Sequence, residues 1–286
     1  MQYFFVTGSP KSGTTWLQKT LDGHPEVVCS GEGAFMERIA KPIVEMREAY
    51  NKHQALVAGR VYEHRSYYEP LSMASIGPAV RDIIVSLMSQ RAYEGVLAIG
   101  DKTPRHNFFL FGLDSLFPTA KFINIVRHPY DVAVSKLFHA SRAGQTDALQ
   151  AESAARGPLV EQAAKDWAVA QQRVAEFRQK HPGRITEVKY EDLLERPMEE
   201  TARLFAHLGV RTDHEAVSIA VESASFEKLS GGRSRGAEDT SSFFRKGIAG
   251  DWKNQLEPAL TQLVDRHCLP VMRRYGYETA DSAAEK

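Results

Sequence analysis

The chain has 286 residues, 43% hydrophobic and 25% charged, so it can bury a large core as one sizeable α/β domain or as two smaller ones. Its 36 basic residues balance its 36 acidic residues, which argues against a broad nucleic-acid or membrane surface and leaves room for a local anion pocket. The two cysteines, Cys29 and Cys268, have no Cys or His neighbours at zinc-site spacing. Disulfide scaffolds and metal sites are therefore not expected.

The first apolar run, residues 3–6, is too short for a secretion signal, and no later run approaches the length needed to span a membrane. We therefore expect a cytoplasmic protein without a membrane-inserted segment.

Short apolar runs along the chain predict strands that are covered on both faces of a parallel sheet. They lie at residues 3–7, 26–29, 96–100, 121–126 and 184–188. Helical patterns separate them, at residues 16–21, from Pro129 onward, at residues 159–177 with Trp167 in the predicted core, and at residues 197–208. The alternation predicts an α/β fold with a single doubly wound parallel sheet flanked by helices, over residues 1–286.

Two stretches break the alternation. Residues 33–95 carry aromatic side chains without a strand pattern and predict a helical insertion on the acceptor side of a binding cleft. Residues 230–250 are rich in Gly, Ser and Arg and predict a loop that covers the ligand. Both stretches are expected at the carboxyl ends of the strands, where ligands bind in open α/β sheets.

The first strand leads into the segment Gly8-Ser9-Pro10-Lys11-Ser12-Gly13-Thr14-Thr15-Trp16, which opens a helix. Backbone N–H groups at such a helix start can bind a phosphate, and the two glycines permit the tight turn. The glycine spacing equals that of a Walker A loop, but Thr14 stands where the lysine should be, and the only loop lysine is Lys11. Mg-nucleotide hydrolysis is therefore disfavoured. A sulfuryl group carries less charge than a phosphoryl group, so lysines and amides could stabilise its transfer without a metal.

The segment Ser9 to Leu17 resembles the phosphosulfate loop of sulfotransferases that use 3′-phosphoadenosine-5′-phosphosulfate (PAPS) and release the diphosphate PAP. These enzymes have a P-loop-like fold. The resemblance implies that Lys11 contacts the bridging oxygen of the sulfate, that the loop from Pro10 through Ser12, Gly13, Thr14 and Thr15 holds the 5′-phosphate, and that Trp16 stacks on adenine.

A second motif follows the predicted strand at residues 121–126. Arg127 leaves the carboxyl end of that strand, and Ser135 lies two helical turns later. A guanidinium is suited to bidentate phosphate binding, and a hydroxyl can add to it. The segment is similar to the 3′-phosphate site of the same family.

A third motif, Phe243-Phe244-Arg245-Lys246-Gly247-Ile248-Ala249-Gly250-Asp251-Trp252-Lys253, resembles another signature of the family. By that resemblance Arg245, Lys246 and the Gly247 amide bind the 3′-phosphate, and Phe243 borders the adenine. Two adjacent cations on a flexible loop form a plausible anion clamp. Tyr190 and Phe226 are placed where the family contacts adenine.

The catalytic base is sought in the segments that follow the predicted strands at residues 96–100 and 26–29. Asp101-Lys102-Thr103-Pro104-Arg105-His106 has Pro104 where soluble small-molecule sulfotransferases have their catalytic His. The segment resembles carbohydrate-type and bacterial members, which use a Glu after the first helix. Glu32 matches that layout and is expected to be partly buried beside the donor loop. We assign Glu32 as the base and His106 as the alternative, with Lys102 stabilising charge on the transferring group.

The acceptor remains open at the level of sequence: a hydroxyl, or secondarily an amine, on a small molecule, lipid or carbohydrate. Aromatic residues would suit a ring and arginines an acidic sugar, the candidates being Phe35, Tyr62, Tyr67, Tyr68, Phe138, Arg38, Arg60 and Arg65. A P-loop kinase, or a PAP-binding module without catalysis, are the alternatives. The soluble family's dimerisation signature is absent after Lys253, so the oligomeric state also stays open.

Overall fold

A single five-stranded sheet of parallel strands forms the centre of the computed structural model, which describes residues 1–62, 65–150 and 153–280. Positions 63–64 of the predicted insertion, and positions 151–152 and 281–286 of the predicted domain, lie outside the described residues. The strands are β1 (Gln2–Gly8), β2 (Val27–Gly31), β3 (Ala98–Lys102), β4 (Lys121–Val126) and β5 (Ile185–Lys189). Their order in the sheet is β2-β3-β1-β4-β5. The predicted doubly wound parallel sheet is confirmed.

Helices cover both faces of the sheet. Their bounds are α1 (Thr14–Asp22), α2 (Lys41–Val61, preceded by a π-helical turn at Met36–Ala40), α3 (Met73–Met88), α4 (Leu110–Leu116), α5 (Pro129–Arg142), α6 (Arg156–Lys180), α7 (Tyr190–Glu195), α8 (Pro197–Leu208), α9 (His214–Ser223), α10 (Phe226–Ser230), α11 (Trp252–Gln255) and α12 (Pro258–Tyr275). None of the helices in these described residues is long and apolar enough to cross a membrane.

Alternation along β1 divides the core between the two faces. Phe4 packs in one cluster with residues of α1, α8 and α9, whereas Phe5 packs in a second cluster with residues of α3, α4 and α6. A third cluster joins α5, α6 and α12, with Trp167 fully buried in it as predicted. Apolar residues on both sides of the sheet therefore hold the strands rigid, and the carboxyl ends of the strands share one edge.

Two predicted strands were placed too early in the chain. The apolar runs at 26–29 and 96–100 correspond to β2 at Val27–Gly31 and β3 at Ala98–Lys102. The ladders continue into polar residues because Lys102 pairs in register with both Val6 and Gly31. The apolar residues of these strands thus end before the strands do. The last, polar residues of each strand are the ones that reach the candidate site.

The two stretches that break the alternation contain no strand in their described residues. In the described part of residues 33–95 the chain is helical or irregular and contains no strand. Residues 231–250 form a loop without helix or strand, tied together by the Arg233 guanidinium, which donates to the carbonyls of Phe244 and Arg245.

Candidate active site

Every strand ends at a predicted site residue. β1 runs into the loop at residues 9–13, β2 ends immediately before Glu32, and Lys102 is the last residue of β3. Arg127 follows β4 and Tyr190 follows β5. The parallel topology therefore gathers residues that are far apart in sequence at one edge of the sheet.

The loop after β1 turns sharply and leads directly into α1. Lys11 and Gly13 both have positive φ, 77° and 93°, and the Ser12 amide donates to the Ser9 carbonyl at 3.0 Å. A left-handed conformation is unfavourable for lysine, and such strain concentrates at functional sites. The free N–H groups at the start of α1 and this turn make a cradle suited to an anion.

Position 13 requires glycine for two reasons: its positive φ is unfavourable for other residues, and the Tyr190 ring leaves no room for a Cβ. A Cβ at this position would lie 2.6 Å from Cδ2 of Tyr190. We expect Gly13→Ala to lower the free energy of unfolding by more than about 2 kcal/mol, because strain and a clash add together. Gly209 has a φ of 76° but nothing within 4 Å of its Cβ position, so Gly209→Ala is a control for strain alone. Urea unfolding of both variants measures the difference, and equal losses would contradict a Tyr190 clash.

The strand ends surround a cavity of about 560 Å³. Its lining includes most of the predicted donor residues: Pro10, Lys11, Gly13, Thr14, Thr15, Trp16, Arg127, Ser135, Tyr190, Phe226, Phe243, Arg245, Lys246 and Gly247. Glu32 also lines it. Ser12, within the loop, is fully buried, and its Oγ has no hydrogen-bond partner within the described part of the chain.

One part of the cavity is aromatic. The Trp16 and Tyr190 rings meet edge to face with centroids 5.4 Å apart, and the Trp16 Nε1–H donates to the Ala224 carbonyl at 3.0 Å. Gly247, with a φ of 67°, packs so closely on Phe226 that a Cβ would lie 2.4 Å from that ring. These contacts fix flat apolar surfaces of the kind on which a nucleobase stacks.

Arg127 donates hydrogen bonds to backbone carbonyls of the first and the third predicted motifs. Its guanidinium donates to the Ile248 carbonyl at 2.9 Å and to the Lys11 carbonyl at 3.4 Å. Its Cζ lies 4.2 Å from the centroid of the Tyr190 ring. Arg127 therefore joins the first loop to the loop at residues 231–250, and its position in the cavity is fixed on several sides.

Two buried aspartates, which the sequence motifs did not identify as site residues, hold the third motif in place. Asp251 accepts hydrogen bonds from Arg245 at 2.5 Å and from Lys246 at 2.8 Å. Asp131 accepts from the backbone amides of Gly250 and Trp252 at 2.7 and 3.1 Å. Burial would raise the pKa of Asp251, but the hydrogen bonds from Lys246 and Arg245 outweigh it and hold that pKa below its usual value.

We expect Asp251→Asn to weaken PAP binding about tenfold, because an amide cannot pair with both cations and they lose their fixed positions. Isothermal titration with PAP measures the effect. Asp82→Asn is the matched control, since Asp82 is exposed on α3 and distant in sequence from the third motif. PAP affinity unchanged in the Asp251 variant would show that the aspartate does not position the cations.

Glu32 and Lys102 form an ion pair at the ends of β2 and β3. The Lys102 ammonium donates to the Glu32 carboxylate at 2.7 Å and to the Thr15 hydroxyl at 3.3 Å. The Glu32 side chain is 66% exposed, so the expected partial burial was wrong: the carboxylate reaches out from the end of β2 into the cavity. Lys102 is buried, and its ammonium is fixed between the loop and the carboxylate.

The turn that carries Glu32 is built by Asp101 and Thr103. Glu32 has a φ of 61°, and the next amide, that of Gly33, donates to the Asp101 carboxylate at 3.0 Å. The Thr103 hydroxyl and the His106 Nε2–H donate to the same carboxylate, each at 2.8 Å. His106 is 1% exposed and does not line the cavity, so its placement favours Glu32 over His106 as the base.

The predicted acceptor residues lie elsewhere. Phe35 and Phe138 are buried in the core, and Tyr62, Tyr67 and Tyr68 are exposed outside the cavity. The three candidate arginines of residues 33–95, Arg38, Arg60 and Arg65, do not line it either. The charged and histidine residues that line the cavity without having been assigned from the sequence are Glu37, Arg105, Lys136, His139, Arg142 and Arg235. On α5, His139 and Arg142 lie four and seven residues after Ser135 and share its helix face, a spacing that could have identified these two.

Comparison with known proteins agrees with this geometry. A family model described as "Sulfotransferase family" matches residues 4–214. The nodulation protein NoeE of Sinorhizobium fredii is 30% identical over 225 residues, which cover 72% of this chain and 49% of that protein. The omega-hydroxy-beta-dihydromenaquinone-9 sulfotransferase Stf3 of Mycobacterium bovis is 33% identical over 110 residues, 38% of this chain and 28% of that protein. The chain thus spans about half or less of these curated relatives.

Solved structures share the fold. Mouse sulfotransferase SULT7A1 complexed with PAP superposes with a TM-score of 0.59 at 18% identity, over 95% of this chain and 84% of that one. The sulfotransferase domain from the curacin biosynthetic pathway gives a TM-score of 0.57 at 20% identity, over 97% and 98% of the two chains. At these identities the likeness concerns the fold alone.

Proposed function

Because this chain belongs to the sulfotransferase family, we propose that it transfers a sulfuryl group from PAPS to a hydroxyl group of an acceptor and releases PAP. One observation carries the proposal. A single cavity combines the anion-binding loop around Lys11 with a second cationic group, Arg127, Arg245 and Lys246, and has aromatic walls beside them. That combination suits a nucleotide with phosphates at both its 5′ and 3′ positions.

The residues present fit the proposed donor. The Ser12 Oγ is buried without a hydrogen-bond partner among the described residues, so a phosphate held by the loop would offer it an acceptor. Trp16, Tyr190 and Phe226 would hold the adenine, and Arg127, Ser135, Arg245, Lys246 and Gly247 the 3′-phosphate. Residues 230–250 supply several of these groups and would cover the donor, while Ala34 and Glu37 of the segment 33–95 also line the cavity and would face the acceptor.

The transfer itself needs a base for the acceptor proton and cations for the transferring group. Glu32 would accept the proton as the acceptor oxygen attacks the sulfur in line with the leaving 5′-phosphate. Lys11, on the donor side, would stabilise the negative charge that develops on the bridging oxygen. Lys102 would hold the Glu32 carboxylate in position and supply charge near the transferring oxygens. The chemistry requires no metal ion.

The proposal is tested by binding and by transfer. PAP at about 100 times its Kd should raise the free energy of unfolding by about 2.7 kcal/mol, whereas ATP with Mg²⁺ should have little effect. Labelled sulfate should then move from PAPS to an acceptor. PAP binding without any transfer would support a binding module, and Mg-dependent ATP hydrolysis would support a kinase-like enzyme.

A further inference from the structure

A row of basic side chains on α5 lines the cavity opposite the first loop. Lys136, His139 and Arg142 are spaced three residues apart, so they project from one side of the helix. Each step moves about 4.5 Å along the axis, away from the end of α5 at which Arg127 lies. The row therefore begins next to Ser135 and runs along α5 past Phe138, on whose ring the Arg245 guanidinium packs with its Cζ 4.2 Å from the centroid.

The protein compensates the charge of this row only in part: the Asp239 carboxylate acts on Arg142 from beyond ion-pairing distance, and Arg245 repels it. Among the described residues no carboxylate lies within ion-pairing distance of Lys136 or Arg142, and Arg142 donates to the Thr240 carbonyl at 3.2 Å. Burial, followed by the charges of Arg142 and Lys136, lowers the pKa of Lys11 to about 8. The Lys11 ammonium and the row thus repel one another across the cavity, and an anion between them would relieve that repulsion.

The carboxylates that line this end of the cavity already have partners. Glu37 accepts from Arg105 at 3.1 Å, and Glu32 accepts from Lys102 at 2.7 Å. Neither can compensate the row on α5. The proposed donor phosphates also have their own cations and amides, on the first loop and the third motif. The row is therefore left for a different anion.

We propose that the acceptor carries an anionic group, such as a carboxylate or a sulfate ester, which binds Lys136 and Arg142 while its hydroxyl faces Glu32. This inference rests on the proposed sulfuryl transfer and specifies its acceptor. Burial and the neighbouring cations Lys11 and Arg142 lower the pKa of His139, so its imidazole is neutral at pH 7 and contributes a hydrogen bond rather than charge. A strongly apolar acceptor would leave the two cations facing it unpaired.

The test separates donor binding from acceptor selection. PAP affinity is measured first by isothermal titration, for the wild type and for the double variant Lys136→Gln/Arg142→Gln. Failure of the wild type to bind PAP would overturn the proposed function itself. Unchanged PAP affinity in the double variant is the expected result, and a large loss would assign the row to the donor and overturn the inference.

The PAP-loaded proteins are then titrated with two matched pairs of hydroxyl compounds: 4-hydroxyphenylacetate with its methyl ester, and 4-nitrophenyl β-D-glucuronide with the glucoside. We expect at least one acid to bind about tenfold more tightly than its neutral partner, and the double variant to lose this preference. Lys41→Gln/Arg60→Gln, on α2 outside the cavity, should retain it. The inference fails if neither acid is preferred, or if the preference survives in the double variant.

Discussion

Glu32→Gln is expected to lower kcat about 10²-fold to 10⁴-fold while leaving the affinity for PAP unchanged. The amide keeps the size of the side chain but cannot accept a proton from the acceptor. The carboxylate lies on the cavity wall and is fixed by Lys102 at 2.7 Å, which is the placement that a base facing the transferred group requires. Steady-state kinetics with PAPS, together with PAP titration, measures both effects.

A matched control is available in the same cavity. Glu37 also lines it and also pairs with a cation, Arg105, so Glu37→Gln makes the same change in charge at the rim. We expect that control to alter KM more than kcat. If Glu32→Gln retained near-normal kcat and His106→Gln abolished turnover, the base would be His106 acting from its buried position beside Asp101.

The residues proposed to bind the donor could be found in the sequence, and most of them line one cavity, because each of their motifs is local. The loop around Lys11, the segment starting at Arg127 and the segment around Arg245 each carry their own turn and cations within a few residues. Parallel topology then brings their ends together without further information. The fold class follows from the same alternation of apolar runs and helices, whereas the strand order β2-β3-β1-β4-β5 comes from the structure.

Long-range contacts account for what could not be predicted. The hydrogen bonds from Gly250 and Trp252 to Asp131 join residues about 120 positions apart, and no local pattern marks such a pairing. The burial of Phe138 beneath Arg245, with Cζ 4.2 Å from the ring centroid, likewise depends on the fold of the third motif. Sequence alone therefore did not indicate which of the candidate aromatic residues line the cavity.

Strain also marks the site in a way that sequence patterns do not reveal. Three described residues other than glycine have positive φ: Lys11, Glu32 and Ala34, and all three line the cavity. Asp101 and Thr103 fix the turn around Glu32, and the helix start fixes the turn at Lys11. The surrounding rigid sheet stabilises these conformations, which keep the proposed base Glu32 and the proposed electrophilic residue Lys11 on the wall of one cavity.

The second large effect is expected for Lys11→Met, which should lower kcat/KM for PAPS about 10²-fold to 10³-fold, or about 2.7–4 kcal/mol of transition-state stabilisation. The methionine retains much of the apolar contact with Phe243, whose ring centroid lies 5.1 Å from the Lys11 Nζ. PAP lacks the transferred group, so its affinity should fall much less than kcat/KM. If PAP affinity and kcat/KM fell by the same factor, the role of Lys11 would be phosphate binding alone. Lys19→Met, an exposed lysine on α1, is the control.

The pH dependence of the same variant gives an independent readout. Burial, with Arg142 and Lys136, lowers the pKa of Lys11 to about 8, so wild-type kcat/KM should decline above that pH as the ammonium loses its proton. Lys11→Met should lack this decline.

The stability of the ligand-free protein should also depend on the charge of Lys11. Because the pKa of Lys11 in the folded state lies below its value in the unfolded state, the charged lysine opposes folding below pH 8. Stability then rises as the pH increases from 8 toward the unfolded pKa. The ligand-free Lys11→Met variant should therefore unfold at a higher temperature than the wild type at pH 7. The same substitution would then lower activity and raise stability, as expected where a charged residue is kept for function at a cost in stability.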